Sequence, residues 1–249
     1  MRILSFRRVP AAILLSTLLA GRVLGVPSDT NGRIYGGQDA EPGRYGYMVS
    51  LQSVSRRLFH FCGGTLIAPD IVLTAARCVS DIFLDDSGTI DPTDVAVRTG
   101  PYRLSNPVGG SEIFPVNRIV VHPTYTSFLN NLEYLDDDNI LSHTHNIAIL
   151  HLAGQSRTQP TVVLNQDPGW PLVDQSLTQL GWGHINGWDF VAPDVLQVLE
   201  GATLIDLETC RALDQDASWS LPYDLGDDCI CTVELDGQGA CGDRDAGES

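Results

Sequence analysis

Short apolar or alternating segments recur along this chain of 249 residues, and turn-forming residues separate them. Runs of about four to eight residues bounded by turns are typical of strands, whereas helices need longer periodic segments. The pattern predicts an all-β class, a sandwich or barrel with few helices. The predicted strands are Tyr47–Gln52, Thr65–Ile67, Ile71–Ala75, Val95–Arg98, Asn117–Val121, Asn146–Leu152, Ser176–Gly181 and Gly201–Ile205. The polar, aperiodic segment at 153–160 predicts a crossing between two halves.

The N-terminus has the layout of a secretory signal peptide. Three arginines precede an apolar run from Ala11 to Ala20, and Val23-Leu24-Gly25 offers a cleavage site. The apolar run is too short to span a bilayer, and the charged start argues against the alternative of a buried N-terminal helix. The sequence therefore predicts a signal peptide at residues 1–25 and a secreted, extracellular protein without a membrane partner.

The chain is strongly acidic, because 31 aspartates and glutamates outnumber 15 basic residues and give a net charge of −16. This balance argues against nucleic acid and anionic membranes as partners. Acidic clusters occur at Asp85-Asp86, Asp136-Asp137-Asp138 and Asp227-Asp228. We interpret them as solvated loop charge, since none has the regular spacing of oxygen ligands in a calcium loop. No cofactor and no metal ion are predicted.

Six cysteines in a secreted chain are expected to form disulfides. A metal site at Cys229, Cys231 and Cys241 is the alternative. It would need a fourth ligand and thiolates kept reduced, which a secreted protein rarely offers. We therefore expect paired cysteines rather than a metal centre.

Five motifs follow one another along the chain. They are Arg33-Ile34-Tyr35-Gly36-Gly37; Cys62-Gly63-Gly64 with Leu73-Thr74-Ala75-Ala76-Arg77-Cys78; Asn146-Ile147-Ala148-Ile149-Leu150; Gly181-Trp182-Gly183; and Ala240-Cys241-Gly242-Asp243-Arg244. Together they resemble the motifs of the trypsin-like serine proteases, and the resemblance covers Ile34 to about Arg244. The resemblance implies two antiparallel six-stranded β-barrels with a catalytic cleft between them.

The resemblance also implies a domain layout. A short propeptide at residues 26–33 would precede a protease domain at 34–249, with the first barrel at about 34–155 and the second at about 156–249. Because the sequence stops at Ser249, we expect the second barrel to be incomplete at its C-terminus.

Two disulfides follow from the resemblance by position. They are Cys62–Cys78 and Cys210–Cys231. Cys229 and Cys241 then remain, and they are expected either to pair with each other or to stay as reactive thiols.

The resemblance places the catalytic triad at Arg77, Asn146 and Arg244, where the family has histidine, aspartate and serine. An arginine stays protonated and cannot act as a base, and an asparagine carries no charge to stabilise an imidazolium ion. His143 and His145 lie beside Asn146 and suggest a shifted base, but such a base would have no nucleophile to serve. The sequence therefore predicts no intact catalytic residue.

Other sites are implied less completely. The oxyanion hole would use the backbone N–H groups of Gly242 and Arg244, but one residue is missing between Cys241 and Gly242. The position that gives the specificity pocket its charge is Gly239 rather than an acid.

The activation site and the calcium loop are also implied by the resemblance. Cleavage after Arg33 would free the amine of Ile34 to pair with Asp243. The family's calcium loop would run from about Gly100 to Glu112, where only Glu112 looks like a ligand.

Three hypotheses stay open. The first is a secreted, catalytically inactive serine protease homologue that binds a secreted or host protein as a decoy, inhibitor or cofactor. The second is an active trypsin-like endopeptidase, and the third is the product of a truncated or decaying gene. The residues at the triad positions favour the first over the second.

Overall fold

A computed structural model describes residues 37–80, 89–105, 110–129, 141–183, 193–216 and 230–233, with side chains described throughout except at 127–129, 141–143 and 213–216. The strands are β1 (Gln38–Asp39), β2 (Met48–Ser53), β3 (Phe59–Ala68), β4 (Ile71–Thr74), β5 (Val95–Thr99), β6 (Glu112–Val121), β7 (Thr126–Leu129), β8 (Leu141–Thr144), β9 (Ala148–Leu152), β10 (Ser176–Gly181), β11 (Gln197–Ile205) and β12 (Cys231–Val233). One α-helix, α1 (Leu207–Asp216), and two 3-10 turns, Ala76–Cys78 and Pro92–Asp94, complete the described elements.

Six strands close into an antiparallel barrel in the order β2-β3-β4-β9-β6-β5. Side chains alternate across each strand, so every second residue points inward, as β9 shows by burying Ala148, Leu150 and Leu152. Aliphatic side chains fill the interior, which removes their apolar surface from water and supplies most of the driving force for folding. The core of this barrel contains Val49, Leu51, Leu66, Val72, Val79, Val95, Val97, Val116 and Leu150.

The second half contributes a sheet of four described strands. β11 pairs antiparallel with β1, β10 and β12, and residues 153–175, which contain no strand, connect the closed barrel to β10. Trp182, with 1% of its surface exposed, packs with Met48, Leu180 and Val198 in a second core. The predicted all-β class and trypsin-like fold are confirmed. The prediction that the second barrel is incomplete at its C-terminus concerns residues 234–249, which lie outside the described part of the chain.

Several strands are longer or shorter than the pattern predicts. β6 begins five residues before the predicted Asn117. The prediction starts too late because Pro115 lacks an N–H donor and interrupts the strand pattern, whereas the structure accommodates Pro115 in the strand, opposite Ala96. β9 begins at Ala148 instead of Asn146, whose side chain accepts a backbone hydrogen bond from Arg77. The hairpin β7–β8 and helix α1 lie in segments where the sequence pattern predicts no element.

Gly64, in the Cys62-Gly63-Gly64 motif, allows neighbouring strands to approach closely. A Cβ atom at Gly64 would lie 2.9 Å from the carbonyl oxygen of Leu73 and 3.1 Å from methyl groups of Val49 and Val72. These atoms belong to paired strands of a closed barrel, so they have little room to retreat.

Gly64→Ala should therefore lower the free energy of unfolding by about 1–3 kcal/mol, in the range of overpacked cores. Urea denaturation of the variant and the parent measures this change. Gly169→Ala is the control, because a Cβ atom there meets only Asp167 Oδ1, at 3.3 Å, on an exposed loop. Equal losses in the two variants would contradict the packing explanation.

Candidate active site

A 3-10 turn carries Arg77 at the end of β4. Thr74, the last residue of β4, donates its hydroxyl to the Gly63 carbonyl oxygen at 2.8 Å. Cys78 is bridged to Cys62 of β3, with an S–S distance of 1.95 Å. Arg77 is thus held on both sides, by a strand pairing before it and by a covalent bond after it.

Arg77 and Asn146 meet although 69 residues separate them. β4 and β9 pair antiparallel with Thr74 opposite Ala148, so the residues that follow β4 lie beside those that precede β9. The Asn146 side-chain oxygen accepts a hydrogen bond from the Arg77 backbone N–H at 2.9 Å, and both residues are partly buried. The fold therefore brings together two of the three positions that the sequence motifs single out.

Two histidine rings stack next to this pair. His145 directly precedes Asn146, has a left-handed backbone with φ of 53°, and stacks on His122 with ring centroids 4.9 Å apart. The His122 backbone N–H donates to the Ile147 carbonyl oxygen at 3.0 Å, which fixes this stretch before β9. His143 lies in β8 opposite Ser127, but its side chain is outside the described set.

Sequence patterns do not reveal another buried contact of a histidine, in which His60 meets Trp182 of the second half. His60 of β3 lies 2.8 Å from the hydroxyl of buried Ser50 and packs edge-on against the Trp182 ring at 5.6 Å. Burial lowers the pKa of His60 from 6.5 to about 4, so this imidazole is neutral in the folded protein at neutral pH. A histidine in an alternating strand gives no signal by itself, because an exposed one produces the same pattern.

The low pKa of His60 makes stability depend on pH. The unfolded chain binds a proton below about pH 6.5 and the folded protein only below about 4, so stability is lost as pH falls through this window. The loss should reach about 3 kcal/mol, the free-energy equivalent of this pKa difference. Urea denaturation measures the free energy of unfolding of the parent and of His60→Gln from pH 8 to pH 4. The parent should lose about 3 kcal/mol more than the variant over this range. Parallel profiles of the two proteins would contradict it.

A cleft of about 260 Å³ lies elsewhere on the chain, and neither Arg77 nor Asn146 lines it. Its walls include Glu41, Tyr45, Tyr102, Arg103, Gln159 and Leu196. The Tyr45 hydroxyl is buried in the wall, and none of the described residues forms a hydrogen bond with it. This cleft is thus separate from Arg77 and Asn146, the described residues that the motifs connect with catalysis.

Comparison with known proteins identifies the family. The family model described as Trypsin matches residues 34–244. The chain belongs to the trypsin family. It is 27% identical to human Trypsin-3 over 224 residues, which are 90% of this chain and 62% of that protein. Bovine Anionic trypsin is 26% identical over 90% of this chain and 76% of its own length, and rat Transmembrane protease serine 9 is 30% identical over 83% of this chain and 17% of its own length.

The chain therefore spans less than two thirds of human Trypsin-3 and about three quarters of the bovine relative. It contains a trypsin-like serine protease domain. No helix among the described residues has the length and apolar character needed to cross a membrane.

Several positions that the trypsin resemblance assigns lie outside the described residues. They are Arg33, Ile34, Cys229, Gly239, Cys241, Gly242, Asp243 and Arg244. Two assigned bridges are present, Cys62–Cys78 and Cys210–Cys231, and the second joins α1 to β12 with an S–S distance of 1.99 Å.

Glu112, the possible calcium ligand of the trypsin resemblance, is engaged by the chain itself. Its Oε2 atom accepts hydrogen bonds from the Ser156 hydroxyl at 2.6 Å and the Thr158 hydroxyl at 2.8 Å, and the Arg157 N–H donates at 3.3 Å. The Ser156 hydroxyl is the main cause that lowers the pKa of Glu112. In the described ranges, no three histidine, cysteine or acidic side chains are grouped as a metal ion would need. Through these hydrogen bonds, Glu112 holds residues 156–158 of the segment that connects the two halves.

The chemistry open to the pair differs from that of a trypsin triad. A guanidinium group carries five N–H donors and no acceptor, and it stays charged at every accessible pH. Arg77 can bind a carboxylate or a carbonyl oxygen but cannot take a proton from a hydroxyl. The neutral Asn146 amide already uses its oxygen to accept the Arg77 N–H.

Proposed function

We propose that this trypsin-family protein is a secreted, catalytically inactive homologue that acts by binding another protein, as a decoy, inhibitor or cofactor. One observation carries the proposal. The Asn146 side chain accepts the Arg77 backbone N–H at 2.9 Å, and these two residues occupy the motif positions at which the trypsin resemblance expects a histidine and an aspartate. This arrangement retains the architecture of the site while changing the two side chains on which proton transfer depends.

The cost of these substitutions can be compared with measured ones in triads. Asparagine in place of the orienting aspartate lowers turnover by roughly 10⁴, because the imidazole then adopts the wrong tautomer. Loss of the base or the nucleophile lowers turnover by roughly 10⁶, which corresponds to about 8 kcal/mol of barrier. The effects are not additive, yet each alone is disabling. With arginine also at the nucleophile position 244, no covalent route is left.

The surrounding fold argues for a retained role in binding. The closed barrel has a core of fully buried aliphatic side chains, and both described disulfides have their expected partners. A domain built this way presents a rigid surface, which lowers the entropic cost of association. We therefore propose a secreted or host protein as the partner, with no role for nucleic acid, membrane or a cofactor.

The test combines binding with the fate of the partner. The full secreted chain, immobilised through its C-terminus, captures proteins from the medium in which it naturally occurs. Each captured protein is then incubated in solution with a stoichiometric amount of the chain. We expect a stable complex by calorimetry and an intact partner by gel electrophoresis and mass spectrometry.

Two outcomes would refute the proposal. Catalytic cleavage of a captured protein would show that the chain is an active endopeptidase. The absence of any stoichiometric complex would favour a gene product without a selected function.

A further inference from the structure

We propose that an exposed apolar patch at one end of the second sheet binds an extended partner segment in which aliphatic and basic residues alternate. The patch consists of Trp170, Leu172, Val173 and Ile230, with 45%, 62%, 52% and 70% of their surfaces exposed. The inference rests on the proposed binding function and identifies the surface that would serve it. Clustered exposed apolar residues on a soluble protein mark interaction sites, whereas scattered ones need no explanation.

The strand register places the loop residues and Ile230 at the same end of the second sheet, on either side of β11. The backbone N–H of Asp174 donates to the Leu204 carbonyl oxygen at 2.8 Å, and the Leu204 N–H donates to Gln175 at 2.9 Å. The loop that ends at Gln175 is therefore fastened to the last residues of β11. On the other side of that strand, Ile205 pairs with Cys231 of β12, so Ile230, which directly precedes Cys231, lies at the same end of the sheet.

The loop at residues 165–175 is organised by its own hydrogen bonds. The Asn165 side chain donates to the Asp167 and Trp170 carbonyl oxygens, and the Trp170 N–H donates to the Asp167 carbonyl at 3.1 Å. Leu172 and Gln175 are joined twice, through Leu172 N–H to Gln175 Oε1 at 3.2 Å and Gln175 N–H to Leu172 O at 3.0 Å.

Such a loop holds its shape without burying its apolar side chains. A rigid loop that presents a tryptophan and aliphatic neighbours loses little conformational entropy on binding. Tryptophan is also among the residues that most often dominate the energy of an interface. The loop therefore has the properties of a preformed anchor.

The charges around the patch select the kind of occupant. Residues 161–175 contain two aspartates and no basic residue, and the segment that follows β11 adds Asp206 and Glu208 against Arg211. A second copy of this chain would bring the same acidic rim against itself, and each copy carries −16 overall. Like charges facing each other across an interface disfavour self-association. Arginines or lysines that flank aliphatic residues would instead match the rim while their apolar neighbours cover the patch.

The test uses a fluorescein-labelled peptide of alternating leucine and arginine, with a serine–arginine peptide of equal charge as the control ligand. Binding is measured by fluorescence anisotropy to the full parent chain, to Trp170→Ala/Leu172→Ser, and to Phe59→Ser. Phe59 is 62% exposed in β3, so its replacement removes an exposed aromatic group elsewhere without changing the net charge. Thermal unfolding verifies that each variant folds.

We expect the leucine–arginine peptide to bind the parent and Phe59→Ser alike, and the double variant at least about tenfold more weakly. The serine–arginine peptide should bind the parent at least about tenfold more weakly than the leucine–arginine peptide. Equal affinity of both variants, or no binding by the parent, would overturn the proposal. If the parent forms a dimer and the double variant does not, the proposal would also be overturned, because a second copy of the chain would then be the occupant of the patch. Labelling of the same preparation by an active-serine probe would refute the proposed function and leave the peptide result standing, so the two failures can be distinguished.

Discussion

Hydrolysis of arginyl and apolar ester substrates by the purified protein, with residues 1–33 removed, should not exceed the spontaneous rate. The reason lies at position 77, where the residue whose backbone N–H binds Asn146 is an arginine. Its guanidinium is permanently protonated and cannot accept the proton of an attacking hydroxyl. Loss of the base alone corresponds to a turnover lower by roughly 10⁶ than that of an intact triad. A spectrophotometric ester assay with an active trypsin as the reference measures this difference.

Arg77→His serves as the matched variant in this assay. It restores an imidazole to the turn, but Asn146 and Arg244 remain, so we expect no recovery of activity. Activity of the parent that survives repeated purification and follows the protein through chromatography would contradict the prediction.

Removal of the Cys62–Cys78 bridge should lower the free energy of unfolding by about 2–5 kcal/mol, the range typical of native bridges in secreted domains. The bridge closes a segment of 16 residues and holds the turn that carries Arg77 against β3. Cys62→Ala/Cys78→Ala avoids a free thiol, and urea denaturation measures the change.

The double variant Cys210→Ala/Cys231→Ala is the control for chain entropy. Its bridge closes a similar segment of 21 residues, so the entropic cost of its loss should be comparable. The first variant should in addition weaken the protection of the Arg77 N–H against hydrogen exchange, because the turn loses its covalent support. Unchanged stability of Cys62→Ala/Cys78→Ala would contradict the prediction.

The strands could be predicted where one face of the chain is apolar. Ile71–Thr74 and Ser176–Gly181 have clear alternation or apolar runs, and the structure contains both strands. The pattern fails where a strand contains a residue that strands usually exclude, as with Pro115, or where pairing is determined by distant neighbours, as in the hairpin β7–β8. Helix α1 begins after Asp206, whose carboxylate accepts the Thr209 N–H at 2.8 Å, but its sequence of ten residues is mostly polar and gives only a short helical pattern.

Parts of the candidate site were open to prediction only through the family motifs. Nothing in the local sequence connects Arg77 with Asn146, and the contact follows from the pairing of β4 with β9. The Ser50–His60–Trp182 cluster depends on packing between the two halves, which no single segment encodes. The exposure of Trp170 is likewise a tertiary property, since a tryptophan near Pro171 and Gly169 predicts a turn but not the surface it presents.

We expect that the trypsin-family site of this chain forms no covalent intermediate. Labelling with a phosphonate probe for active serines, followed by mass spectrometry of the intact protein, tests this claim most directly. We predict no mass increase under conditions in which an active trypsin is labelled completely. Stoichiometric addition of one probe to an intact, uncontaminated preparation would contradict it.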